Sequence, residues 1–109
     1  MSAANVMECV SAVVPCARVC WPLGQAPDLP YAVFLADDDR TFMADDAMFA
    51  TCTRWRVELY ERYPDEALET ALKRAICERF GPYEAVDTWI DTEGCYELAL
   101  YFTECEVYE

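Results

Sequence analysis

Seven cysteines, 21 acidic residues and no histidine set the chemistry open to this chain of 109 residues. Without imidazole, Ser–His and Cys–His nucleophiles and His-ligated metals are all excluded. A lysine base remains as a chemical option, but the sole lysine, Lys73, lies in a charge-rich stretch. Carboxylate pairs such as Glu93 with Glu97, or Asp87 with Asp91, are what so many acids produce by chance. The three glycines, Gly24, Gly81 and Gly94, are too far apart to build a phosphate loop.

Metal chemistry is equally constrained. Cys16 and Cys20 have C-x-x-x-C spacing, but Pro15 and Pro22 bracket them and disfavour a helix. In an extended segment, residues four apart lie roughly 13 Å from each other. Zinc needs each sulfur at about 2.3 Å, so the two are not neighbouring ligands. The acidic runs Asp37-Asp38-Asp39 and Asp45-Asp46 offer oxygen ligands of the kind calcium takes. They lack the D-x-[DN]-x-[DN]-G pattern of a calcium loop. The expectation is no catalytic residue, no metal and no cofactor, and hence no enzyme.

The odd number of cysteines argues against a closed disulfide framework. Glu8 precedes the short apolar stretch at 10–14, no basic n-region leads it, and Pro15 and Arg18 break it. Neither a secretory signal nor a membrane span is expected. The thiols are read as small buried hydrophobes of a protein made in a reducing cytosol.

The elements that position these residues follow from periodicity. Val6, Val10 and Val13 mark a helix over 3–14, capped by Ser2 or Asn5 and stopped by Pro15. Residues 17–21 suit a short strand, and the proline-rich stretch 22–30 an irregular connection. Tyr31 to Ala36 is a continuous apolar run, a strand covered on both faces. Asp37-Asp38-Asp39-Arg40 then predicts a turn, and a short hairpin follows around Asp45-Asp46. In 51–62, Thr53, Trp55, Val57 and Leu59 face one way; Arg54, Arg56, Glu58 and Tyr60 face the other. Residues 64–80 form the clearest helix. Pro64 suits its first position, Leu68, Leu72, Ala75 and Ile76 its apolar stripe, and Gly81 its stop. Strands at 83–90 and 95–108 flank an Asp91–Gly94 hairpin turn. The second turns Tyr96, Leu98, Leu100 and Phe102 inward. Trp21, Trp55 and Trp89 are expected to anchor the core.

This order predicts one α+β domain over residues 1–109. Its mostly antiparallel sheet carries an N-terminal helix and one central amphipathic helix. The formal charge of −13 opposes conventional nucleic-acid and anionic-lipid binding. Two non-enzymatic classes remain: an assembly subunit, or an acidic inhibitor imitating DNA. Acids placed in turns, with eight bases among them, favour assembly.

Several segments share an order and spacing with a known family. Leu23-Gly24-Gln25-Ala26-Pro27-Asp28-Leu29-Pro30-Tyr31 resembles the "P-x-G-x-A-P-x-L-P-Y" motif of small structural proteins of long-tailed phages and prophages. Phe42-Met43-Ala44-Asp45 resembles "F-x-A-D", and Arg56-Val57-Glu58-Leu59-Tyr60 resembles "x-[VI]-E-L-Y". Leu68-Glu69-Thr70-Ala71-Leu72 sits where the family's helix has its apolar face. Asp91-Thr92-Glu93-Gly94-Cys95-Tyr96-Glu97 resembles its last turn and strand. The resemblance spans about residues 20–105 and implies a tail-completion, or tail-terminator, protein. It implies a homo-oligomeric ring, a hexamer in such families, that caps the tail tube protein and meets the head–tail connector protein. It also implies residence in the virion after assembly in the host cytoplasm. Other neck or minor tail proteins of the same fold are the alternative. The chain is acidic where such proteins are usually lysine-rich. An acidic lumen would let DNA pass without sticking. For the subunit interface the candidates are Asp37, Asp38, Asp39, Asp45 and Asp46 of the acidic loop, with Arg54, Arg56 and Glu58 of the following strand.

Overall fold

The computed structural model describes residues 2–45 and 48–108. Two helices lie on one face of a five-stranded, mostly antiparallel sheet, which makes the chain an α+β protein. The elements are α1 (Ser2–Ser11), β1 (Cys16–Arg18), β2 (Tyr31–Asp45), β3 (Met48–Glu61), α2 (Glu66–Phe80), β4 (Glu84–Ile90) and β5 (Cys95–Tyr108). The sheet order is β1-β2-β3-β5-β4, and only the β1–β2 pair is parallel.

The alternation of β3 decides which face is which. Trp55, Val57 and Leu59 are buried, with Phe34, Ala32, Leu100 and Leu98 beside them in register. Val6 and Val10 of α1 and Leu72 and Ile76 of α2 close the core from above. Each of these large side chains contributes about 1.5–3 kcal/mol by leaving water. The two helices are tied by Arg79, whose Nη1 donates to Glu8 Oε1 at 2.6 Å and Nη2 to Asn5 Oδ1 at 3.2 Å.

Helix α1 spans less than 3–14: it begins at Ser2, ends at Ser11, and places Asn5 inside, so Asn5 is no cap. Helix α2 begins two residues later than expected. Asp65 is the N-cap, extended at φ −113°, and its side chain accepts from the Leu68 N–H at 3.2 Å. Pro64 therefore precedes the cap, because a short acidic side chain satisfies an end N–H that proline cannot. Gly81 ends the helix at φ +98°, donating its N–H to the Cys77 carbonyl at 3.0 Å.

The largest departure is in β2. No turn interrupts it at Asp37-Asp38-Asp39-Arg40; the strand runs on to Asp45 and pairs with β3 throughout. A register shift between Ala36 and Asp38 takes up Asp37 as an extra residue, so the acids sit on a bulged strand. Cross-strand pairing outweighed the weak strand propensity of aspartate. The hairpin is thus long rather than short. At 14 residues β3 spans about 46 Å, in keeping with a longest dimension of 51 Å. Asp46 and Ala47 at its tip lie outside the described residues.

Three further expectations are corrected. Strand β1 is only Cys16–Arg18, because Val19 turns the chain at φ +69°. Trp55 is buried, but Trp89 is 49% exposed, since β4 is an edge strand that no helix covers; Trp21 is half-buried. Cys52 and Cys105, directly opposed on β3 and β5, form a disulfide. Of the five free thiols, Cys9 and Cys95 are buried, whereas Cys20 and Cys77 are exposed and do not pack as small hydrophobes.

Candidate interface on the open sheet face

The face of the sheet turned away from the helices collects the charged half of the β3 alternation. Arg56 Nη2 contacts Glu58 Oε2 at 2.6 Å, and Arg56 Nη1 lies 4.0 Å from Asp37 Oδ1. Arg54 Nε is 3.9 Å from Asp37 Oδ2, and its Nη2 is 3.8 Å from Glu84 Oε2 on β4. The Arg54 guanidinium also stands over the Tyr101 ring, 4.8 Å from its centre. A ladder of alternating charge therefore crosses β2, β3, β5 and β4. Its outer pairs are exposed and worth at most about 1 kcal/mol each. The Arg56–Glu58 pair is better shielded, with the Glu58 side chain 9% exposed.

Of the candidate residues, Asp37, Arg54, Arg56 and Glu58 are brought together. Asp38 instead pairs with Arg40, Oδ2 to Nε at 2.9 Å, at the exposed surface. Asp39 turns to the other side, where Thr53 Oγ1 donates to its Oδ1 at 2.9 Å. Asp45 closes β2, and Asp46 lies outside the described residues. The group is a strand-borne ladder, not an acidic loop. Tyr101 and Glu84 complete it from β5 and β4. Tyr101 stands on the outward side of the β5 alternation, but only the β3–β5–β4 register brings it and Glu84 to Arg54.

Below this ladder, residues 19–30 fold back over the open face and leave a cleft of about 550 Å³. Its walls include Trp21, Tyr31 and Tyr60, whose rings follow one another with centres 6.0 and 5.6 Å apart. The Tyr60 hydroxyl donates to Glu58 Oε1 at 3.1 Å. Burial, then the neighbouring Glu97 and Glu58 carboxylates, push the Tyr60 pKa well above its ordinary value, so it stays a neutral donor. Burial opposes the Arg56 charge, but Glu58 and Tyr101 outweigh it and its pKa rises.

The chain bends into this cleft at Val19, where the N–H donates to the Phe34 carbonyl at 2.7 Å. A β-branched residue at positive φ is strained. Val19→Gly is expected to stabilise the fold by about 0.5–1 kcal/mol, since the side chain is 62% exposed and little packing is lost. Urea unfolding of the two proteins measures it.

A second feature lies at the start of α2. Glu61 ends β3 and is 2% exposed; its Oε1 accepts from the Asp65 N–H at 3.2 Å. Burial, then a hydrogen bond shared with Glu69, push its pKa up to about 8. The alternation of 51–62 places residue 61 on the inward side, yet nothing in it signals a buried neutral acid.

No protein-family model matches the sequence, and no curated protein matches it. Among the described residues, no helix is long and apolar enough to cross a membrane.

Proposed function

We propose that the chain is a self-assembling structural subunit of the tail-terminator type. In this reading, copies close a ring on the end of a phage tail tube and present a face to the head–tail connector. The observation that carries the self-assembly reading is that the sheet ends in two unlike open edges. On one side β1 pairs only with the first part of β2, through Cys16–Arg18 and the Val19 N–H. Beyond Phe34 that edge of β2 has no strand beside it among the described residues. On the other side is β4, exposed along almost its whole length, with Val86 51% and Trp89 49% exposed. Unlike edges that meet head to tail give a heterologous contact, the kind from which a ring is built when the rotation between copies closes. Met43, 59% exposed near the hairpin tip, and the fully exposed Leu23 add apolar surface on the β1–β2 side.

The phage setting rests on the family-like segments, chiefly Leu23–Tyr31 and Arg56–Tyr60. It places the finished ring in the virion and its assembly in the host cytoplasm. Another neck or minor tail position fits the same contacts. The ladder of Asp37, Arg54, Arg56 and Glu58 then supplies paired charges near the joint.

A charge of −13 on every copy opposes association. Raising the ionic strength from about 0.05 to about 0.5 M should therefore strengthen the assembly. Negative-stain imaging of the purified chain is expected to give closed rings. In Val86→Glu with Trp89→Glu, charges at the apolar edge should leave only small particles. Rings that persist in this double variant would remove β4 from the joint.

A further inference from the structure

We propose that the cleft between residues 19–30 and the open sheet face is a binding site for an organic cation, an ammonium or guanidinium group on an apolar carrier. The proposal does not depend on the assembly reading, because the cleft lies within one subunit. Three observations support it. The cleft is roomy, about 550 Å³, within the range of small-molecule sites. Trp21, Tyr31 and Tyr60 line it in succession, and aromatic faces attract cations through their ring quadrupoles. The polar groups beside them are acidic. Glu58 and Glu93 lie in the wall and Glu97 stands next to the Tyr60 hydroxyl; among the described residues no lysine or arginine lines the cleft, though Arg62 stands near Cys95 of the wall.

The geometry explains why a cation is chosen over other ligands. Glu58 is buried, with one oxygen on Arg56 and the other held by Tyr60, so the carboxylate is fixed at the edge of the rings. Arg56 answers most of that charge. Glu93, exposed in the Asp91–Gly94 turn, and Glu97 leave the cleft acidic overall. An anion entering it would meet carboxylates, and a neutral ring would gain only the aromatic contact. The residues outside the rings, such as Ala26 and Ile90, are apolar and suit the carrier rather than the charged head. The floor of the cleft is built on β2 and β3, which pair without a break from Tyr31 to Ala36. The site is thus largely preformed.

The cationic group comes either from a free small molecule or from a lysine or arginine side chain of another protein. The test separates these sources. The intact protein is labelled with ¹⁵N and titrated with benzyltrimethylammonium, with a capped arginine peptide, and with benzyl alcohol as the neutral isostere. Both cations should shift the amide signals of Trp21, Tyr31, Tyr60 and Glu93, and the neutral compound should bind roughly tenfold more weakly. A stronger response to the small ammonium assigns a free ligand; a stronger response to the peptide assigns a protein side chain. Trp21→Leu should weaken the cations about three- to fivefold. Glu93→Gln, a change at an exposed side chain of the Asp91–Gly94 turn, should weaken them about two- to threefold and leave benzyl alcohol unchanged. Equal binding of cation and neutral isostere, or no shift at these positions up to about 10 mM of either cation, would overturn the proposal.

Discussion

Raising the pH from about 5 to about 9 is expected to lower the unfolding free energy by about 4 kcal/mol, and Glu61→Gln to remove most of that dependence. The sign follows from burial. The Glu61 carboxyl is pushed up to about 8 in the folded chain from an ordinary value of 4.5, first by burial and then by Glu69. The folded state therefore binds the proton more tightly than the unfolded one. The associated stability is whole below the ordinary value and is lost as the pH climbs through the folded one. The groups facing Glu61 oppose its ionisation. Glu69 and Asp65 add like charge, with only the Asp65 N–H favouring the carboxylate. With no histidine in the chain, no imidazole titrates across the same window. Glutamine keeps the carbonyl that accepts from the Asp65 N–H and has no charge to bury. Urea unfolding at several pH values, for both proteins, gives the two curves. Parallel curves would mean that Glu61 is already ionised in the folded state.

The second large effect concerns Cys52–Cys105. The bridge joins residues separated by 53 positions, and closing a loop of that length restricts the unfolded chain by about 4 kcal/mol. Reduction should lower the urea midpoint by the corresponding amount. The fold itself should survive, because β3 and β5 remain paired at thirteen positions from Phe49 to Glu61. Cys52→Ser with Cys105→Ser should behave alike in the presence and absence of reductant and match the reduced wild type. Alkylation of the unfolded, unreduced protein should label the five free thiols, Cys9, Cys16, Cys20, Cys77 and Cys95, and no others. Labelling of all seven would show that the bridge does not form.

Elements with a strong period could be read directly. The Leu68, Leu72 and Ile76 stripe and the Gly81 stop gave α2 within two residues at its start. The alternation around Trp55 gave both faces of β3 correctly. The hairpin at Asp91–Gly94 also lies where its turn residues put it. Asp37–Asp39 misled because consecutive aspartates are turn formers in isolation. What decides their conformation is β3, far along the chain, which offers a continuous partner. The cysteine bridge was hidden for a related reason. Parity of the count says nothing about which two residues a register of β3 with β5 sets face to face.

The interface candidates divide in the same way. Arg54, Arg56 and Glu58 were legible because alternation alone puts them on the polar side. Their partner Asp37 was named for the wrong reason, as part of a loop, and reaches them through a bulge. The cleft was not legible at all. Trp21 and Tyr31 flank a proline-rich connection, and only the path of that connection over the sheet brings their rings to Tyr60. Glu61 required knowledge of where α2 docks, since the same carboxylate at an open strand end would be an ordinary surface charge.

In the assembly proposed above, unlike sheet edges join copies of this chain. This contact is tested most directly by light scattering coupled to size exclusion, at rising protein concentration and moderate salt. One discrete species is expected, with a mass that is a whole multiple of the chain mass, giving way to single chains in Val86→Glu with Trp89→Glu. A wild-type protein that keeps the mass of one chain at the highest concentration would contradict it.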